Sequence, residues 1–152
     1  MLLLDERILP DGTHARTHAT LVGERVEIRD DDGTRGELGV AAVERVMTRY
    51  GKELDASIAL TGEALALPGG YRLRRLRYHT PVDATGRDYL IWERPGEPPL
   101  AVIAAMATAA LRYLVLRLVD ERRSGGASAG AGAGDDADED GAAPQETETD
   151  RG

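Results

Sequence analysis

The chain has no cysteine, three histidines and a single lysine, Lys52. Without thiols there can be no disulfide, no thiolate nucleophile and no cysteine-ligated zinc or iron–sulfur centre. Every basic residue other than Lys52 is arginine, a bias that reflects codon usage more simply than selection for phosphate binding. Serine is also scarce: Ser57 is the one serine in residues 1–123, and no Gly-x-Ser-x-Gly elbow surrounds it. Glycines at 69 and 70, and at 36 and 39, are too sparse for a phosphate-cradling loop. Acids are plentiful, but no carboxylate pair stands out, and the sequence predicts a protein without catalysis, cofactor or metal.

Targeting signals are lacking too. Leu2, Leu3 and Leu4 run directly into Asp5 and Glu6, whereas a secretory signal needs a basic segment and then about 7–15 apolar residues. The longest apolar stretch, Leu100 to Val119, has the roughly 20 residues a bilayer span needs. Arg112 and Arg117 fall inside it, each costing about 2.5–3.5 kcal/mol near a membrane centre. A cytoplasmic protein with no membrane partner is expected.

The charge is unevenly placed. The 152 residues carry a net charge of −8. Residues 1–123 hold 18 bases against 19 acids, whereas residues 124–152 hold 8 acids and one base, Arg151. Those last residues contain no Val, Ile, Leu or aromatic side chain, so they cannot offset the entropy of ordering. A disordered acidic tail over 124–152, serving mainly to solvate, therefore follows a single domain over 1–123.

Within that domain the hydrophobic period changes several times. Thr13 to Val22 alternates, with Ala15, Ala19 and Leu21 opposite His14, Arg16 and His18, which predicts a half-buried strand. Gly23-Glu24 suits a two-residue hairpin turn, and Arg25 to Arg29 returns with Val26 and Ile28 inward. Asp30-Asp31-Asp32-Gly33 reads as the next turn, before a short strand over Thr34 to Leu38. Val40, Val43, Val46, Met47, Tyr50 and Leu54 then recur at spacings of three and four, an amphipathic helix with Gly51 as its cap. Ser57 to Thr61 and Ala64 to Leu67 read as a strand pair around Gly62. Tyr71 to Thr80 and Arg87 to Arg94 read as a long hairpin. Pro99 then suits the first turn of a helix to about Arg122. The expected fold is α+β: a curved antiparallel sheet of six to seven short strands, one internal helix and a long C-terminal helix.

Three clusters invite chemistry. His14 and His18 share a strand face but lie about 13 Å apart at 3.3 Å per residue, too far for one metal ion. The aspartates at 30–32 fail the calcium-loop pattern, which would need an acid at Ile28 and a glutamate at Gly39. Residues 71–79 hold Arg72, Arg74, Arg75 and Arg77 with Tyr71 and Tyr78. Neither face of that strand is clean, so a bulge near Arg74-Arg75 is expected. Bases interleaved with aromatics can grip a nucleic acid or another anionic ligand. The near-neutral domain lacks the basic excess such a role requires, and pairing with Asp88 and Glu93 is the simpler fate.

The C-terminal helix carries the leading expectation. One stripe, Leu100, Ile103, Ala107, Leu111, Leu114 and Leu118, would dock on the sheet. A second face, Ala101, Ala105, Thr108 and Ala109 up to Arg112, would admit a second helix closely, either a partner's or the chain's own helix over Val40 to Tyr50. The sequence thus predicts a non-catalytic module that binds itself or another protein through this helix. Anionic-ligand or nucleic-acid binding by Arg72, Arg74, Arg75 and Arg77 is the alternative.

Overall fold

Alternating apolar residues carry the first quarter of the chain into a four-stranded meander. A computed structural model describes residues 1–55, 60, 62–79, 81–82 and 85–128. Strands β1 (Leu2–Ile8), β2 (His14–Val22), β3 (Arg25–Asp30) and β4 (Arg35–Gly39) pair in chain order, all antiparallel. Leu2, Leu4, Ala19, Val26, Ile28 and Leu38 make its buried face. Helix α1 (Val40–Tyr50) follows without a linker and buries Val43, Val46 and Met47.

The second sheet is assembled from more distant pieces. It contains β5 (Lys52–Glu53), β6 (Ala64–Ala66), β7 (Arg72–Tyr78), β8 (Arg87–Glu93) and β9 (Leu100–Ile103). Their spatial order is β5-β9-β8-β7-β6, again all antiparallel. Its inner face presents Leu65, Leu73, Leu90, Trp92 and Val102. Helix α2 (Ala104–Ser128) runs out of β9 and touches both sheets and α1. One core joins all these elements except β5, and each fully buried Leu or Val in it contributes about 1.5–3 kcal/mol.

The α+β class, the antiparallel pairing and both helices match the sequence reading, while several boundaries move. There are nine strands in two sheets among the described residues. Leu100 to Ile103 is a strand, not the first turn of the last helix. It hydrogen-bonds to β8 on one side and β5 on the other, and its Val102 side chain fills the core. Helix α2 starts at Ala104 and continues through Ser128, five residues past the expected domain end. The expected strand at Ser57 to Thr61 falls largely on residues 56–59 and 61, outside the described residues, as does the tail over 129–152.

Gly51 ends α1, as the sequence suggested. Its backbone is extended (φ −73°, ψ 149°), and its N–H donates to the Met47 carbonyl at 2.6 Å. A Cβ at Gly51 would collide with that same carbonyl oxygen, so close approach requires the glycine. Leu54 lies beyond the helix, and Tyr50 at its end stays largely exposed.

Candidate interaction site

A helix advances 100° per residue, so the residues it buries set the phase of those it exposes. Ala104, Ala107, Thr108, Leu111 and Val115 of α2 are buried. Gly36 of β4 makes the seat: a Cβ there would overlap the Val115 side chain. Thr108 donates its hydroxyl to the Leu4 carbonyl at 3.4 Å. One turn on, Arg112 reaches β3 and places a guanidinium nitrogen 2.6 Å from Asp30 Oδ2, with Asp32 Oδ2 at 3.8 Å.

Asp30 heads the expected turn, its carbonyl accepting the Gly33 N–H at 3.1 Å, but its side chain has a further role. Asp30 closes β3, is 6% exposed, and accepts the Thr17 hydroxyl on Oδ1 at 2.5 Å. Thr17, Asp30 and Arg112 together anchor α2 to the first sheet. Arg112 does not end the buried patch either, since Val115 beyond it is 1% exposed.

The expected alanine face is thus divided. Ala101 lies on β9, and Thr108 and Arg112 turn inward; only Ala105 and Ala109 face solvent. Their true neighbours on the outer face are Met106, Tyr113 and Leu116, which are 48%, 66% and 51% exposed. A helix phased from Leu100 and Ile103 hides these three. Phasing from Ala104 and Leu111 would have found them.

The arginine strand resolves differently from its expectation. The β7–β8 register runs unbroken from Arg72↔Glu93 to Tyr78↔Arg87, with no bulge. Mixed faces are tolerated because each face of β8 supplies one carboxylate. Glu93 Oε1 takes Arg74 Nη2 at 3.0 Å, with Arg72 Nε at 3.9 Å, and Arg74 Nη1 also donates to the Gly62 carbonyl at 3.2 Å. Asp88 takes Arg75 Nη2 at 2.5 Å and Arg77 Nε at 2.9 Å. Burial pushes the Asp88 carboxyl up, but hydrogen bonds from Arg77 and Arg75 outweigh it and hold it below its ordinary value of 3.8. The same hydrogen bond, donated by Arg77 to Asp88, raises Arg77.

The histidines show an equally local arrangement. His14 Nδ1 and Arg16 Nε lie 3.0 and 2.8 Å from Glu6 Oε1 across the β1–β2 pair. Those hydrogen bonds, led by Arg16, lower the Glu6 carboxyl. Among the described residues, no helix is long and apolar enough to cross a membrane. Compared with known families, with curated proteins and with solved structures, the chain matches none.

Proposed function

We propose that this protein is a small non-catalytic assembly module of the cytoplasm, which pairs with a second copy of itself through the outer face of α2. The observation behind this reading is the exposure of Met106, Tyr113 and Leu116 in one stripe, on a helix whose opposite side is locked into the core. Burying such a stripe removes apolar surface from water at about 25 cal/mol per Å².

The order of residue sizes favours a second copy over an unrelated partner. Along the stripe, Ala105, Met106 and Ala109 come first and Tyr113 and Leu116 follow. A two-fold interface brings residue i against j and j against i. In an antiparallel pair centred near residue 111, Ala109 meets Tyr113, small against large on both sides of the axis, and Met106 packs on Leu116. Mass by light scattering tests this: the chain is expected to approach twice 16.3 kDa at tens of micromolar. Ala109→Glu, which buries a charge at the centre of the pair, is expected to return it to the monomer mass with unchanged thermal unfolding. A monomeric parent chain, or a variant that still pairs, would overturn the reading.

A second reading, anionic-ligand or nucleic-acid binding along β7, draws on one observation. Four guanidinium groups share two carboxylates, and the Arg72 and Arg77 side chains are 52% and 61% exposed. Retention on a heparin column that survives Arg72→Gln with Arg77→Gln would exclude it.

A further inference from the structure

The second face of an antiparallel sheet is ordinarily solvated and polar. On the five-stranded sheet part of that face is apolar, next to the Arg72, Arg74 and Glu93 side chains that share it. The pairing register aligns two cross-strand rows there: Leu76, Tyr89 and Ile103 in one, Ile91, Ala101 and Lys52 in the other. Ile91 is fully buried although it stands outside the main core. Tyr50 from the end of α1 and Met106 from the start of α2 wall the rows, leaving an open-sided concavity of about 500 Å³. That size lies within the range of about 300–1,000 Å³ typical of small-molecule sites.

The charges around the concavity are few. Lys52 and Arg87 are its cations and Glu53 its carboxylate. Among the described residues no carboxylate comes within ion-pair distance of Lys52, in contrast to the arginines of β7. A lysine ammonium is a compact charge on a flexible apolar stem, and its register position beside Ala101 puts it at one end of the apolar floor.

We propose that this concavity binds a small amphipathic carboxylate. The apolar body lies across the Leu76–Tyr89–Ile103 and Ile91–Ala101 rows, and the carboxylate meets the Lys52 ammonium. Tyr78 and Tyr89, edge to face with centroids 6.5 Å apart, bound the other end and favour an apolar chain or ring over a second polar group. The site shares only Met106 with the α2 stripe; Tyr113 and Leu116 contribute nothing to it, so binding and pairing can be read separately at those two positions.

Titration of the ¹⁵N-labelled full chain with sodium decanoate below its micellar concentration tests the assignment. Saturable amide shifts are expected at residues 52–54, 87–91 and 101–106, with positions 113–116 unmoved. Lys52→Met, which keeps the apolar stem, should weaken decanoate about tenfold through loss of the charge-assisted contact. Decanol should bind the parent chain as weakly as decanoate binds that variant. Ile103→Gln should weaken both ligands. Absent or scattered shifts would overturn the proposal, and so would equal affinity for decanoate and decanol, or a Lys52→Met variant that binds as tightly as the parent. The same spectra report whether each variant is folded, and light scattering on the same samples reports pairing separately.

Discussion

Replacing Asp30 with alanine tests how α2 is held to the first sheet. The substitution removes the acceptor of the Thr17 hydroxyl and the counter-charge of Arg112, at 2.5 and 2.6 Å respectively. Thr17 is 2% exposed, so its stranded hydroxyl costs about 1–3 kcal/mol. The Arg112 side chain is 25% exposed and keeps Asp32 at 3.8 Å. Its loss therefore falls below the 3–5 kcal/mol of a fully buried broken pair, at about 1 kcal/mol. Together these give about 2–4 kcal/mol for Asp30→Ala. Arg112→Met strands the more deeply buried partner, a carboxylate whose side chain is 6% exposed, and is expected to cost about 3–4 kcal/mol. The double variant removes both charges at once, so it should be less destabilised than the sum by about 1–3 kcal/mol. Urea unfolding at pH 7, followed by far-UV circular dichroism, measures all four species. Additivity within about 0.5 kcal/mol would refute the reasoning, because residues without mutual contact behave that way.

Other expectations follow from the same geometry. Gly36→Ala pushes a methyl group into Val115 and should cost about 1–3 kcal/mol, as overpacking does; combining it with Val115→Ala should recover part of that loss, and a neutral Gly36→Ala would contradict the seating of α2 on β4. The Asp88 carboxyl titrates below its ordinary value in the folded chain, so the unfolded chain binds more protons in that acid range. Its contribution is thus present above about pH 4 and lost as pH falls through the folded value. Thermal unfolding from pH 7 to 2.5 should show a shallower acid decline in Asp88→Asn than in the parent, and parallel profiles would count against the Arg75–Asp88–Arg77 cluster. Gly51→Ala should lower the thermal midpoint, since its Cβ meets the backbone oxygen of Met47, which cannot swing aside as a side chain would.

Local periodicity carried much of the fold. Alternation over His14–Val22 and the three-four spacing over Val40–Tyr50 name their elements because each buries one face against a nearby partner. The same rule reaches β1, whose Leu2 and Leu4 point inward together, although the opening residues read first as a failed targeting signal. Elements defined by distant partners were harder. Leu100 to Ile103 sits in an apolar run that a helix could equally claim, and only its pairing with β5 and β8 makes it a strand. The β-branched Val102 and Ile103, set against the alanine-rich residues after them, were the available hint.

The polar features divide in the same way. Asp88 and Glu93 were legible as partners of the arginine strand because a hairpin brings them opposite one another. Asp30 was not, since three aspartates before a glycine look like any turn, and its burial depends on a helix 82 residues later bringing Arg112 across. Of the residues expected on the second α2 face, Ala105 and Ala109 face solvent and Ala101, Thr108 and Arg112 do not, for one reason. The true start of the helix shifts the phase of everything after it.

The antiparallel pairing of α2 with a second copy is tested most directly by a distance between the two copies. The absence of cysteine makes Arg123→Cys a unique attachment site for a spin label, on an exposed turn of α2 beyond the outer stripe. In a pair centred near residue 111, the labelled positions lie twelve residues to either side of the centre. At 1.5 Å per residue they should be about 36 Å apart along the helix axes, and double electron–electron resonance should return a single distance close to that value. A parallel pair would bring them to the interaxial separation of about 10 Å, and a monomer would give no dipolar signal; either result would contradict the account.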